Sequence, residues 1–259
     1  MDEIADAAVL VTGASAGIGE ALALRLAAGG ARLGLVGRDV QRLDDVARRC
    51  ADHGVDVATW AFDLGDLEAV GDLAARCWDR FGGVDVLVNN AAMPKRRHVL
   101  SLSDAEAEEV MRVNFHSPVK LATTLLPRMI EQGRGCVVNV SSLGGRLGIL
   151  NETAYSASKF ALTGWTEAAA LDLWEEPVEI RLITPGAIDT AIWSRPDNDD
   201  AEFVGELEPP DTVAVAIEDA ILGGPFETYS PDMSAFVEFK MADMDAFQRG
   251  TIAAMRPEV

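Results

Sequence analysis

Tyr155 and Lys159 stand four residues apart in TAYSASKFALTGWTEAAALDLW, a run with helical periodicity. On a helix that spacing carries both side chains on one face, one turn apart. An ammonium about 4 Å from a phenol, at an effective dielectric near 20, gains up to roughly 4 kcal/mol by Coulomb attraction. The pair therefore predicts a phenol drawn down from its usual pKa of ~10, able to give and take a proton near neutrality. Ser142, thirteen residues before Tyr155, closes the apolar run CVVNVSS. Its hydroxyl is suited to hydrogen-bond a carbonyl oxygen whose proton partner is Tyr155. Tyr-x-x-x-Lys also occurs on helices that do nothing, so the elements around it decide what it is for.

The first of those elements is AAVLVTGASAGIGEALALRLAAGG. Ala7 to Val11 reads as a buried strand, and apolar residues at Ile18, Leu22 and Leu26 carry a helical period. Between them, Gly13, Gly17 and Gly19 let backbone approach a pyrophosphate, which the free N–H groups of a helix start would hold. The spacing is G-x-x-x-G-x-G, not G-x-G-x-x-G. The second strand, ARLGLVGRD, ends in Gly37 and Arg38. It offers no carboxylate at Gly37 for a ribose 2′-hydroxyl, and a guanidinium for a 2′-phosphate, with Ser15 as a second donor. That favours NADP over NAD. Asp39 follows at once, either as a counter-argument or as the cap of the next helix.

From Asp39 onward helix-like and strand-like runs alternate, through VQRLDDVARRCADHG, VDVATWAFDLGD, LEAVGDLAARCWDRFGG and VDVLVNNAA. Alternation of this kind implies right-handed crossovers and an α/β fold: a single-domain, Rossmann-type, doubly wound parallel sheet with helices on both faces. The 259 residues suit one such domain. Asp63 and Leu64 end the third strand where an adenine would lie, and Asn89, Asn90 and Ala91 end the fourth, beside the sugar.

TGASAGIG at Thr12 to Gly19, Asp63, NNAA at Asn89 to Ala92, Asn114, Ser142, Tyr155, Lys159 and PGAIDT at Pro185 to Thr190 together resemble the short, single-domain branch of the short-chain dehydrogenase/reductase family. The resemblance runs in order over the chain to about residue 190. It implies Tyr155 as general acid/base, Ser142 as the group orienting the substrate oxygen, and Lys159 on the nicotinamide ribose. It implies Asn114 as holder of a water in a proton relay. The cofactor would lie against Gly13, Ser15, Gly17, Ile18, Gly19, Arg38, Asp63, Leu64, Asn90 and Ala91, with Pro185, Gly186, Ile188 and Thr190 bordering the nicotinamide. One departure is Ala92, where the family usually has glycine. The implied reaction moves a hydride between NADP(H), or NAD(H), and a carbonyl or alcohol. A regulator that binds the cofactor without turnover is the reading of another class.

The remaining features bound this picture. The net charge of −20 disfavours nucleic acid and anionic membranes as partners. No basic leader with an apolar run and no long apolar span is evident, and three widely spaced cysteines suit a reduced, cytoplasmic protein. Histidine and cysteine spacing predicts no metal site. Lys95, Arg96 and Arg97 concentrate positive charge, either to attract an anionic substrate or as an ion-pair patch. Ser103 and Glu106 cap a long helical region whose apolar face exceeds what one sheet covers, and the resemblance implies that it and the Tyr155 helix form the contacts of a homodimer or homotetramer. Residues 190–212 read as a mobile substrate lid, and 231–259 as a C-terminal helix or packed tail. Leu143 and Trp193, with Ile149, Glu152 and Phe203, are candidates for lining the substrate pocket, or for anchoring the lid.

Overall fold

A computed structural model describes residues 3–202 and 205–256; Phe203 lies outside the described residues. Seven strands form one parallel sheet. They are β1 (Ala8–Thr12), β2 (Arg32–Gly37), β3 (Val57–Ala61), β4 (Val86–Asn89), β5 (Cys136–Val140), β6 (Glu179–Pro185) and β7 (Glu227–Ser230). Their order across the sheet is β3-β2-β1-β4-β5-β6-β7. Strands β1, β4 and β5 are buried at every position, which is why they read as unbroken apolar runs.

Helices α1 (Gly17–Ala28), α2 (Val40–Ala51) and α7 (Pro210–Ile221) cover one face, packing Leu22, Leu43 and Ile217 against the sheet. The other face is covered by α3 (Val70–Phe81), α5 (Ser117–Gln132) and α6 (Thr153–Asp172), through residues such as Leu73, Leu125 and Trp165. The winding reverses at β1, which pairs with β2 on one side and β4 on the other. In such sheets the crevice beyond the strand ends at that reversal is where ligands bind.

The region predicted as one long helix after Ser103 is α4 (Asp104–Met111), a π turn at Arg112–His116 and then α5. The capping box forms as expected: Ser103 Oγ accepts from the Glu106 N–H, and the Glu106 carboxylate accepts from the Ser103 N–H. Leu121, Leu125 and Met129 of α5 are buried within the same chain. The C-terminal segment forms two helices, α8 (Ser234–Ala242) and α9 (Met244–Met255), with Phe239 and Phe247 in edge contact at 6.2 Å. No described helix is long and apolar enough to cross a membrane.

The lid segment leaves the body after β6 and returns to α7. A bridge between Ile188 and Glu208 closes its neck, so Pro210 to Thr212 already belong to α7.

Candidate active site

A cavity of about 1100 Å³ opens at the carboxyl ends of the strands. Its walls include Gly13, Ser15, Gly17, Ile18, Arg38, Asp63, Leu64, Asn90 and Ala91 toward one end. Ser142, Leu143, Tyr155, Lys159, Pro185, Gly186, Ile188, Thr190 and Trp193 are also on its wall. Gly19, Asn89 and Asn114, all singled out by sequence, do not reach that wall, and Asn89 is buried with its Nδ2 donating to Asn139 Oδ1 at 2.9 Å. Gly19 packs beneath the glycine turn, where an added Cβ would sit 2.3 Å from the Gly13 carbonyl oxygen. Asn114, in the π turn, is a buried brace: its amide donates to Met93 O at 2.9 Å and Ser158 Oγ at 3.0 Å, and its Oδ1 accepts from Met93 N at 2.7 Å.

Ser142 leaves β5 in extended conformation, its Oγ accepting from the Gly144 N–H at 3.0 Å. A Cβ on Gly144 would lie 3.3 Å from the Tyr155 ring and 3.4 Å from Ser142 Oγ. The Ser142 hydroxyl and the Tyr155 ring thus both lie beside Gly144. One turn on from Tyr155, Lys159 donates to Val140 O at 2.8 Å and sits 5.9 Å from the Tyr155 ring centroid.

The electrostatics differ from the sequence expectation. Burial pushes the Tyr155 phenol above its ordinary value, with the Ser142 hydrogen bond opposing that and Glu152 adding to it. Burial also pulls Lys159 down to about 7. Loss of hydration penalises whichever form is charged, so burial raises the phenol and lowers the lysine.

At the other end, α1 begins at Gly17 with no side chain capping its free N–H groups, and Gly17 and Ile18 face the cavity. This is an anion cradle. Asn90 closes it from below, its Nδ2 donating to Thr12 O at 2.9 Å. Gly37 is packed tightly, since a Cβ there would lie 3.1 Å from Ser15 Oγ. Asp39 serves as the cap of α2, accepting from Arg42 N at 3.1 Å. Arg38, Arg42 and Arg195 line the same cavity, and among the described residues neither Arg38 nor Arg195 has an ion-pair partner. Burial, then the charges of Arg38 and Arg42, hold Arg195 below its usual range. Arg42 pairs with Asp39 at 3.5 Å, and the unpaired Arg38 and Arg195 beside a helix start fit a phosphorylated dinucleotide. Arg42 was legible as one helical turn past Arg38. Arg195 comes from the lid, and no local pattern marks it.

The basic triplet is resolved as ion pairs. Lys95, 3% exposed, reaches Glu106 at 3.0 Å and Asp197 at 2.9 Å, and Arg97 pairs with Glu106, Asp197 and Asp199. Arg96 donates to the carbonyls of Trp193 at 3.0 Å and Asp199 at 3.0 Å. These cations fasten the lid to the body, which takes them away from an anionic substrate and makes the lid a tethered loop. Trp193 holds it too, donating from Nε1 to Ile188 O at 2.6 Å. Among the described residues no cluster fit for a metal ion occurs.

A doubly wound sheet with an uncapped helix start at its reversal, and Ser142, Tyr155 and Lys159 in the same cavity, defines a dinucleotide-binding α/β protein. The chain belongs to the short chain dehydrogenase family, whose profile matches residues 7–201. It is 34% identical over 211 residues to dehydrogenase/reductase SDR family member 7B of Rattus norvegicus, covering 78% of this chain and 64% of that protein, so it spans under two thirds of that relative's length. A metagenomic short-chain oxidoreductase solved with NADP is 30% identical with a TM-score of 0.76, covering 87% of this chain and 96% of that one. A short chain dehydrogenase/reductase of Burkholderia phymatum solved with NAD is 25% identical with a TM-score of 0.86, covering 95% and 96%.

Proposed function

We propose that the protein is an NADP(H)-dependent oxidoreductase interconverting a carbonyl and an alcohol, with Tyr155 as general acid/base. The observation that carries this is the placing of Ser142 and Tyr155 beside Gly144, in one cavity with an uncapped helix start. The nicotinamide, when bound, supplies or accepts the hydride. Ser142 Oγ orients the substrate oxygen, and the Tyr155 hydroxyl gives it a proton in reduction or takes one in oxidation. Lys159, tied to Val140, fixes the face of α6 that bears the phenol and lies toward the ribose. Asn114 holds Met93 and Ser158 in place, bracing the proton relay. Pro185, Gly186, Ile188 and Thr190 border the nicotinamide end, and Asp63 and Leu64 the adenine.

Arg38, supported by Arg42 and Arg195, favours the 2′-phosphate over a bare ribose. Asp39, engaged as a cap, is withdrawn from the hydroxyl that would recommend NAD. Leu143, Ile149, Trp193, Phe239 and Phe247 give the substrate end an apolar wall, which suits a carbonyl compound with a hydrophobic body. Exposed Phe160, Leu171 and Trp174, on α6 and just past its end, offer the apolar surface for a homo-oligomer. The expected test is NADPH consumption, followed by absorbance, over a panel of aldehydes, ketones and sugars. Turnover concentrated among apolar ketones is expected. NADPH binding without turnover across the panel would leave the non-catalytic regulator standing instead.

A further inference from the structure

Glu152 is a buried carboxyl that the chemistry above does not use. It is 8% exposed and lies on the cavity wall, three residues before Tyr155 at the entrance of α6. It occupies the N-cap position, yet its side chain accepts no capping hydrogen bond. The cation nearest to it is Arg96, whose Nη1 is 3.9 Å from Glu152 Oε1, beyond hydrogen-bond range. That guanidinium is already committed to the carbonyls of Ile192, Trp193 and Asp199. Among the described residues, none donates a hydrogen bond to the Glu152 carboxylate. A carboxyl group held this way on the cavity wall, with an ion-pair neighbour but no hydrogen-bond donor, has a place for a donor that the cavity must supply.

The spacing says where that partner would sit. Glu152 and Tyr155 are three residues apart on one cavity wall, close enough for the Glu152 charge to act on the phenol. A group held by Glu152 would therefore lie a few bonds from an oxygen held by Tyr155. Burial raises the Glu152 carboxyl to about 7, with Arg96 opposing, so both protonation states are within reach near neutrality. A hydroxyl satisfies either state, donating to the carboxylate and accepting from the acid.

Building on the oxidoreductase reading, we propose that Glu152 selects the substrate by binding a hydroxyl group carried close to the reacting carbonyl. The preferred substrates are then apolar hydroxyketones, or in the reverse direction the matching diols.

The test is a matched pair, α-hydroxyacetophenone and propiophenone, which differ by a methyl in place of the hydroxyl. The quantity compared is the ratio of their kcat/KM values with NADPH, in the wild type, Glu152→Met and Glu152→Gln. Intrinsic reactivity is the same in every variant and cancels. A hydrogen bond to a charged group predicts that the ratio falls roughly 10–100-fold in Glu152→Met and is largely restored in Glu152→Gln. A second measurement needs no variant: phenylethanediol should bind the wild-type protein with NADPH roughly 10–100-fold more tightly than phenylpropanol. A ratio that ignores position 152, or equal affinities of the two alcohols, overturns this inference alone. If the wild type turns over neither ketone nor any other carbonyl, the oxidoreductase reading falls and this one with it.

Discussion

Lys159 Nζ donates to the carbonyl oxygen of Val140 at 2.8 Å, so the last residue of β5 and the face of α6 carrying Tyr155 are joined by one buried hydrogen bond. Ser142 follows two residues after Val140. The bond thus fixes the two hydroxyls relative to each other, and the lysine has a positional task in addition to any electrostatic one.

Tyr155→Phe removes the proton donor but leaves the ring packed beside Gly144. Turnover is expected to drop by roughly 10²–10⁴-fold, the usual worth of general acid/base help. NADPH affinity, measured by fluorescence titration, should stay nearly constant. Retained turnover would refute the role of the phenol.

The ionisation of Lys159 has a sign that stability can read. Its folded value of about 7 lies below the unfolded value of 10.5, so between those limits the unfolded chain binds more protons. Stability of the cofactor-free protein should therefore rise with pH from about 7 to about 9, above which Cys50, Cys77, Cys136 and Tyr155, all raised by burial, act in the opposite direction. Lys159→Met should flatten that rise and increase Tm near neutral pH, by roughly 2–4 °C per kcal/mol regained. Thermal melts across this range check both.

Gly19→Ala should damage the cradle from beneath, through Gly13 and Asn90 of the cavity wall. The added methyl would meet the Gly13 carbonyl at 2.3 Å and Asn90 Nδ2 at 2.7 Å, forcing the glycine turn to move. A loss of about 1–3 kcal/mol is expected from such overpacking, seen in denaturant melts, together with weakened NADPH binding. Unchanged binding would mean that the turn does not hold the pyrophosphate.

Arg38→Ala should weaken NADPH by roughly tenfold or more while sparing NADH, as the loss of a charge-assisted bond to phosphate predicts. Arg195→Ala should act in the same direction, because Arg195 lines the same cavity from the lid side. Equal affinity for the two cofactors in the wild type would remove the cluster's assigned purpose.

Much of this was legible in the sequence. Periodicity and glycine placement are short-range signals, so the strand, turn and helix of Ala8 to Ala28 appear where the residues say. Boundaries went less well where backbone geometry departs from regular helix. The π turn that carries Asn114 splits a region with continuous helical spacing, and nothing in its residue types announces it.

The sequence by itself determined the parallel α/β order, the dinucleotide cradle, and the placing of Tyr155 and Lys159 one turn apart, because each depends on neighbours a few residues away. Tertiary structure alone decided that burial raises the Tyr155 phenol and lowers Lys159, and that Lys95, Arg96 and Arg97 clasp the lid. It also decided that Arg195 joins Arg38 on the cavity wall, and that among the described residues none donates a hydrogen bond to the Glu152 carboxylate. Those outcomes depend on desolvation and on pairs some hundred residues apart, such as Lys95 with Asp197, and both exist only once the chain has closed on itself.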